Sequence, residues 1–229
     1  MFKTLSRLIY LRKFGRLLGI NKIIFQIFYK ENDYEMNFNK YFSNKILKNF
    51  CIYDIGANIG YYSIEYSRLV GLNGKIIAFE PSIVNYQNLL INIKGQSNIQ
   101  AVNIGLGEKK EKLFLCQGED ELGATSILSN HETNHGSWVD IIPLDEVINY
   151  YPFPNALKID VEGFEYDVLS GAKETLRNTA LKVVGVEVHF SILEERRILN
   201  VITKIEELLK SSGFIVKWTD FSHFIAFRK

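Results

Sequence analysis

The 229-residue sequence is poor in cysteine and has almost no excess of charge of either sign. Its two cysteines, Cys51 and Cys116, lie far apart, and no CxxC or Cys/His spacing typical of a zinc site is present. We therefore expect two buried thiols in a reducing compartment. The net charge is +1, which gives no reason to expect nucleic acid as a partner.

Long hydrophobic runs are also missing. No apolar stretch reaches the roughly 18 residues that a membrane span needs. The N-terminus has neither the continuous apolar core nor the small-residue cleavage site of a signal peptide. These absences predict a cytoplasmic protein. The hydrophobic content of 47% is ordinary for a soluble globular chain, and the length suffices for one sizeable α/β domain with an appended segment.

The appended segment is residues 1–48, which read as an irregular helical region. Residues 1–30 carry seven lysines or arginines and no acid, so the rest of the chain has a net charge of about −6. The pattern predicts an N-terminal helical cover packed on a main domain at residues 49–229. The alternative is peripheral contact of residues 1–30 with an anionic membrane or a lipid-linked substrate.

From residue 49 onward, short β-rich segments alternate with helical stretches, a pattern typical of βαβ units and a parallel sheet. The first helices are predicted at 61–70 and 82–94, with Ser82 as an N-cap. A long helix is predicted at about 193–211. The strands are predicted at 50–55, 75–79, 98–103, 112–116, 138–142, 156–161 and 181–189, followed by a closing hairpin at 214–218 and 223–227.

A glycine turn, Asp54-Ile-Gly-Ala-Asn-Ile-Gly60, joins the first strand to the first helix. In a doubly wound sheet, ligands bind at this end of the strands. The spacing is GxNxG and lacks the third glycine of a dinucleotide fingerprint. The Asp54 carboxylate would repel a pyrophosphate and attract an ammonium group, which S-adenosylmethionine carries beside its sulfonium. The turn therefore favours S-adenosylmethionine over a dinucleotide.

The acid Glu80 ends the second strand, 20 residues after Gly60. An acid at that place can accept both hydroxyls of an adenosine ribose. Dinucleotide-binding folds share this feature, so Glu80 indicates a ligand that contains adenosine. It does not distinguish S-adenosylmethionine from a dinucleotide, and only the glycine turn does.

Four segments resemble the FkbM family of S-adenosylmethionine-dependent methyltransferases: Tyr53-Asp-Ile-Gly-Ala-Asn-Ile-Gly-Tyr-Tyr-Ser63, Phe79-Glu-Pro81, Leu144-Asp145 and Leu157-Lys-Ile-Asp-Val-Glu-Gly-Phe-Glu165. The resemblance covers roughly residues 49–229. It implies a Rossmann-like class I methyltransferase fold, with a mostly parallel seven-stranded sheet, helices on both faces and a C-terminal antiparallel strand. The usual activity that it implies is O-methylation of sugar or polyketide hydroxyls.

The same resemblance implies a set of cofactor-binding positions. Many class I methyltransferases place an acid after the third strand to bind the adenine amine, but this sequence has Asn103-Ile-Gly-Leu-Gly107 there. Backbone at Ile104 is then the expected adenine contact. The implied cofactor residues are Asp54, Gly56, Ala57, Asn58, Gly60, Tyr62, Glu80, Pro81, Asn103, Ile104 and Gly105.

Polar residues cluster at the ends of two later strands. Because alternate side chains of a strand share a face, Lys158, Asp160 and Glu162 should point one way, and Glu187 and His189 should do the same on the next strand. Such a cluster could supply a general base for a hydroxyl, with His189 best suited near neutral pH. It could instead hold a divalent cation through Asp160, Glu187 and His189. A purely structural ion-pair network is the third interpretation.

The sequence thus predicts methylation of a hydroxyl on a sugar, glycolipid or small metabolite. One alternative is a non-catalytic binding protein that keeps the fold. Another is an NAD-dependent oxidoreductase or epimerase acting on a sugar, which Asp54 and the missing third glycine disfavour. The loop around residues 118–136, with His131 and His135, is expected to be solvated or to contact the acceptor rather than bind metal. The oligomeric state is not defined by the sequence.

Overall fold

A computed structural model describes residues 34–117, 126–129, 136–197 and 200–229, in which strands and helices alternate. The helices are α1 (Tyr34–Ser43), α2 (Tyr61–Val70), α3 (Ile83–Asn92), α4 (Leu144–Val147), α5 (Glu165–Ser170), α6 (Lys173–Arg177), α7 (Phe190–Glu195) and α8 (Val201–Ser211). The strands are β1 (Cys51–Ile55), β2 (Lys75–Phe79), β3 (Ile99–Val102), β4 (Gly105–Leu106), β5 (Glu111–Gln117), β6 (Ser126–Ser129), β7 (Gly136–Ile142), β8 (Ala156–Ile159), β9 (Val183–Glu187), β10 (Ile215–Trp218) and β11 (His223–Phe227).

Seven strands form the main sheet, in the order β10-β11-β9-β8-β1-β2-β3. The five strands from β9 to β3 are parallel, and β11 runs antiparallel to both β9 and β10. The expected mostly parallel seven-stranded sheet with a C-terminal antiparallel strand is therefore confirmed. The strand order reverses direction at β1 and β8, which creates the crevice where ligands bind in such sheets.

Alternating side chains of the central strands build a core on each face of this sheet. From β1, Tyr53 and Ile55 pack on the face covered by α5 and α8, while Ile52 packs on the opposite face. Helices α1, α2 and α3 cover that opposite face through side chains such as Phe42, Tyr66 and Leu89. Every residue of β1 is buried, as a central parallel strand requires.

A second, four-stranded sheet has the order β4-β7-β5-β6 and stands beside the carboxyl end of β3. The sequence pattern predicted β5 and β7 as strands, but it did not predict that they form a separate sheet. The residues between these strands at 118–125 and 130–135, including His131 and His135, lie outside the described residues. So do residues 1–33, on which most of the N-terminal cover and the hypothesis of lipid contact fall.

The predicted single helix at about 193–211 is wrong. The chain forms two helices there, α7 and α8, and the segment between them turns through Arg197 and Asn200, whose φ angles are 53° and 55°. A left-handed residue cannot continue a right-handed helix, so the helix must end and restart. Ser82 does cap α3 as predicted, since its Oγ accepts a hydrogen bond from the Asn85 N–H at 3.3 Å.

None of the helices in the described residues combines the length and the apolar character that crossing a bilayer demands. Cys51 is buried as expected, whereas Cys116 is half-buried.

We expect Phe42→Ala to lower the free energy of unfolding by about 3 kcal/mol or more, because it removes a fully buried ring of α1 that packs against Tyr66 and the backbone of Gly185. Denaturant unfolding followed by circular dichroism measures this. Leu47→Ala, at a side chain that is 62% exposed, is the control and should change stability by less than about 0.5 kcal/mol. Equal stability of the two variants would show that α1 does not belong to the folded domain.

Candidate active site

The turn after β1 lies against the turn after β8. Gly56 has a φ of 79°, and a Cβ at this position would overlap the carbonyl oxygen of Asp160. The N–H groups of Gly56 and Ala57 both donate to the carbonyl of Phe79, which fixes the turn to the end of β2. Gly60, with a φ of 90°, is the residue from which α2 begins. The glycines are therefore needed for the close packing of three strand ends, and the sequence alone did not show this.

Glu80 holds the second strand end to the glycine turn. Its carboxylate is buried and accepts a hydrogen bond from the Asn58 N–H at 2.8 Å and another from the Ser82 N–H at 2.9 Å. Burial raises the pKa of this carboxyl to about 7, although both backbone hydrogen bonds oppose the shift. The two oxygens keep further lone pairs, so the group can accept hydrogen bonds from a ligand as well.

A cleft opens between these strand ends, and the space within it, including the part open to solvent, is about 700 Å³. Eight of the predicted site residues line it: Gly56, Asn58, Glu80, Pro81, Ile104, Gly105, Asp160 and Glu162. The apolar part of its wall comes from Ile55, Phe79, Leu106, Leu115, Val161 and Phe164. The cleft thus combines an apolar wall with carboxylates at two places.

Two predicted adenine-site residues use their polar groups within the protein. The Asn103 side chain donates to the carbonyls of Glu80 and Pro81, and it does not line the cleft. Ile104 lines the cleft, but its N–H already donates to the carbonyl of Val102. An adenine contact through backbone at Ile104 would have to use its carbonyl oxygen.

Asp54 does not line the cleft. It is fully buried, accepts a hydrogen bond from Ser63 Oγ at 2.5 Å and lies 3.6 Å from the Lys158 ammonium. Lys158 donates to Asp160 at 3.0 Å, and its Nζ lies 5.1 Å from the ring centre of Tyr62. Burial would lower the pKa of Lys158, but Asp160 and Asp54 outweigh it and raise the pKa above its usual value. The cation that Asp54 attracts in this structure is therefore Lys158.

The expected same-face alternation holds for Lys158 and Asp160, whose side chains meet at 3.0 Å, but it is wrong for Glu162, because β8 ends at Ile159 and the chain turns there. Glu162 has a φ of 47°, which no strand adopts. The turn nevertheless brings two of the acids to His189, whose Nε2 lies 3.2 Å from Glu162 and 3.6 Å from Asp160.

Glu187 and His189 likewise do not share a strand face, because β9 ends at Glu187 and His189 stands at the start of α7. Glu187 contacts His223 at 3.2 Å instead of joining Asp160 and His189. Among the described residues, the group with metal-ligand geometry is Asp160, Glu162 and His189. The predicted cation set of Asp160, Glu187 and His189 therefore differs from the observed cluster in one residue.

His189 is held by carboxylates on both ring nitrogens. Its Nδ1 lies 2.7 Å from Glu165, a fully buried residue that also accepts the Gly163 N–H at 2.9 Å. Burial alone would lower the pKa of His189, but the carboxylates of Glu165, Glu162 and Asp160 raise it to about 9. At neutral pH these contacts keep the ring protonated, which argues against the interpretation of His189 as the base.

Three residues of this region were not predicted from the sequence: Glu165, Asp220 and His223. Glu165 is the last residue of the Leu157–Glu165 motif, yet its position in the sequence does not reveal that its carboxylate contacts His189. His223 is buried between Asp220 and Glu187, with Nδ1 2.9 Å from the Asp220 carboxylate. The spacing of Asp220 and His223 at a hairpin turn is a weak signal, and nothing in the sequence pairs them with Glu187.

Solved structures share this architecture. A FkbM methyltransferase from Methylobacillus flagellatus KT superposes with a TM-score of 0.54 over 83% of this chain and 47% of its own, at 17% identity. A fibrillarin from Aeropyrum pernix with bound S-adenosylmethionine superposes with a TM-score of 0.50 over 80% of this chain and 67% of its own, at 14% identity. The fold is that of the class I methyltransferases.

The sequence comparisons define the family. The methyltransferase FkbM domain matches residues 54–216, so the chain belongs to the FkbM methyltransferase family. It is 29% identical to "Methyltransferase 1" of Beauveria bassiana over 52% of this chain and 57% of that protein. It is 25% identical to the hexuronic acid methyltransferase AglP of Haloferax volcanii over 72% of this chain and 69% of that protein. The chain therefore spans little more than half the length of the Beauveria protein.

The two histidines predict a loss of stability at alkaline pH. Burial would lower the pKa of His223, but Asp220 and Glu187 outweigh it and raise the pKa to about 9. The pKa of His189 is raised to about 9 by its own carboxylate contacts. A histidine whose pKa is higher in the folded than in the unfolded state stabilises the folded state. This contribution is fully present at pH values below the unfolded pKa of about 6.5, and it is lost as the pH rises to 9. Denaturant unfolding at a series of pH values should therefore show stability falling by about 1 to 3 kcal/mol per histidine across this window.

His223→Gln should flatten part of this slope and leave the part due to His189. A wild-type stability that stays constant from pH 6.5 to 9, or an unchanged slope in the variant, would contradict the assignment of protonated histidines.

Proposed function

We propose that this chain transfers a methyl group from S-adenosylmethionine to a hydroxyl of a sugar-like acceptor. The observation that carries the proposal is a single cleft with two carboxylate regions, Glu80 at the end of β2 and the Asp160–Glu162 turn after β8. The first region suits an adenosine ribose, and the second suits an acceptor hydroxyl. Membership of the FkbM family and the S-adenosylmethionine bound to the fibrillarin of the same fold support this assignment.

The residues at the first region fit the cofactor. The Glu80 carboxylate is fixed by two backbone N–H groups and can still accept hydrogen bonds from both ribose hydroxyls. Pro81, Ile104 and Leu106 provide apolar surface beside it for an adenine ring. Gly56 and Asn58 line the same side, where the methionine part would lie. When bound, S-adenosylmethionine supplies an electrophilic methyl group on a sulfonium.

The residues at the second region fit the acceptor. A hydroxyl becomes a better nucleophile as its proton is accepted while the new C–O bond forms. Asp160 and Glu162 line the cleft, and His189 contacts the carboxylates of both acids. Lys158 fixes the second oxygen of Asp160, so this side chain has little freedom to rotate. The arrangement orients an acceptor oxygen toward the methyl group, which accounts for much of the acceleration in such reactions.

A sugar-like acceptor is the class that we favour. The relative AglP of Haloferax volcanii is named as a hexuronic acid methyltransferase, and its alignment with this chain extends over 69% of its length. Carboxylates in a cleft are common partners of sugar hydroxyls, because each oxygen accepts hydrogen bonds from neighbouring hydroxyl groups. A glycan, a glycolipid or a small hydroxylated metabolite all belong to this class.

We expect Glu80→Gln to weaken S-adenosylmethionine binding by about 1.5 to 3 kcal/mol, a loss of roughly 10- to 150-fold in affinity. The amide accepts weaker hydrogen bonds, and its NH₂ group faces backbone donors at Asn58 or Ser82. Isothermal titration calorimetry measures the affinity. Glu174→Gln, at an exposed acid on α6 paired with Arg177, is the matched control and should bind as tightly as the wild type. Undiminished binding by the Glu80 variant would remove Glu80 from the cofactor site.

We expect His189→Ala to keep its affinity for S-adenosylmethionine but to lose turnover by about 10²-fold, the scale of a catalytic group displaced by about 1 Å. The reason is that His189 positions Asp160 and Glu162 on the acceptor side and touches nothing on the Glu80 side. Transfer of a radiolabelled methyl group to a panel of sugars and glycolipids measures turnover, and thermal melting reports whether the variant is folded. Full activity in the folded variant would show that the cluster has no part in the reaction.

A further inference from the structure

Three ligand-type atoms converge on one point at the edge of the cleft. They belong to Asp160, Glu162 and His189, and all of them lie within 4.8 Å of one another. The His189 Nε2 is 3.2 Å from one carboxylate oxygen and 3.6 Å from the other. Ligands bound to one ion at about 2.1 Å, at angles between 90° and 110°, lie about 3.0 to 3.5 Å apart. The separation between Nε2 and Glu162 falls within this range, and the separation between Nε2 and Asp160 exceeds it by about 0.1 Å.

A second observation concerns the far side of the imidazole. The Nδ1 of His189 contacts Glu165 at 2.7 Å, and Glu165 is fully buried and fixed by the Gly163 N–H. Histidines that bind metal ions usually donate their other ring N–H to a carboxylate, which fixes the tautomer and aims the free nitrogen at the metal. Here that arrangement leaves Nε2 directed at Asp160 and Glu162.

The charges in this network also leave a deficit of positive charge. Contacts of 3.6 Å or less connect four carboxylates with two basic groups, counting His189 as protonated. The carboxylates are Asp54, Asp160, Glu162 and Glu165, and the basic groups are Lys158 and His189. When Nε2 of His189 binds an ion, its proton passes to solvent, so only Lys158 then offsets the four carboxylates. Buried charges are usually paired or bound to a metal ion, and one divalent cation would offset two of the three remaining negative charges.

We propose that Asp160, Glu162 and His189 bind one divalent cation of the Mn²⁺ or Mg²⁺ class. Two carboxylate oxygens and one imidazole nitrogen suit such an ion and leave coordination positions open. Since Asp160 and Glu162 line the cleft, an open position faces the acceptor. A coordinated hydroxyl loses its proton to water more readily, so the ion would activate the acceptor oxygen. This chemical role rests on the proposed methyl transfer, whereas the binding of the ion does not.

The test is titration of the full chain with Mn²⁺ after treatment with a chelator and removal of the chelator. Electron paramagnetic resonance follows the free ion, whose six-line signal disappears on binding. We expect one site in the wild type. Glu162→Gln and His189→Ala should each weaken it at least tenfold, since each removes a ligand. Glu165→Gln should weaken it by about 10- to 100-fold, because it disturbs only the orientation of the imidazole.

Glu174→Gln is the control for a general loss of surface charge and should bind Mn²⁺ like the wild type. Glu162 lies on a turn with 31% of its side chain exposed, so its variant should fold even if the buried ones do not. Absence of a Mn²⁺ site in the wild type, or equal binding by Glu162→Gln, would overturn the proposal. Calorimetry with S-adenosylmethionine on the same samples separates the two hypotheses: cofactor binding without Mn²⁺ binding contradicts only the ion site, and the reverse result contradicts only the proposed function.

Discussion

One buried ammonium group connects the parts of the site. Lys158 is 3% exposed and lies between Asp54 on β1 and Asp160 after β8, with the ring of Tyr62 on α2 nearby. A buried charge is costly to leave without partners, so its contacts restrict where the ends of these strands can lie. The position of Asp160 in the cleft follows from this restraint.

The backbone supports the same arrangement through close packing. Because Gly56 has no side chain, the turn after β1 can touch the carbonyl of Asp160, and the Asp160 N–H donates to the carbonyl of Ile55. Glu80, which directly follows β2, then holds the end of that strand to the turn by accepting a hydrogen bond from the Asn58 N–H. The Glu80 region and the Asp160–Glu162 turn are therefore parts of one packed junction of β1, β2 and β8. In the proposed methyl transfer, this junction would set the separation between the donor and the acceptor.

The sequence allowed the sheet to be predicted better than the site. Alternating strands and helices, the glycine turn and the acid at the end of β2 all depend on local patterns, and each corresponds to an element of the structure. The polar cluster depends on turns that begin where the strands end, and period-two alternation no longer applies after Ile159 or Glu187. Two carboxylates raise the pKa of the histidines by contacts between distant parts of the chain: Glu165 at His189, and Glu187 at His223. No spacing in the sequence encodes those contacts.

In the proposed function, the two carboxylate regions of one cleft serve the donor and the acceptor of a methyl group. A crystal structure of the chain grown with S-adenosylhomocysteine, the demethylated product, tests it most directly. We expect the ribose hydroxyls to bind Glu80 and the sulfur to face the Asp160–Glu162 turn. A product molecule bound elsewhere, or bound in this cleft with its sulfur directed away from that turn, would contradict the account.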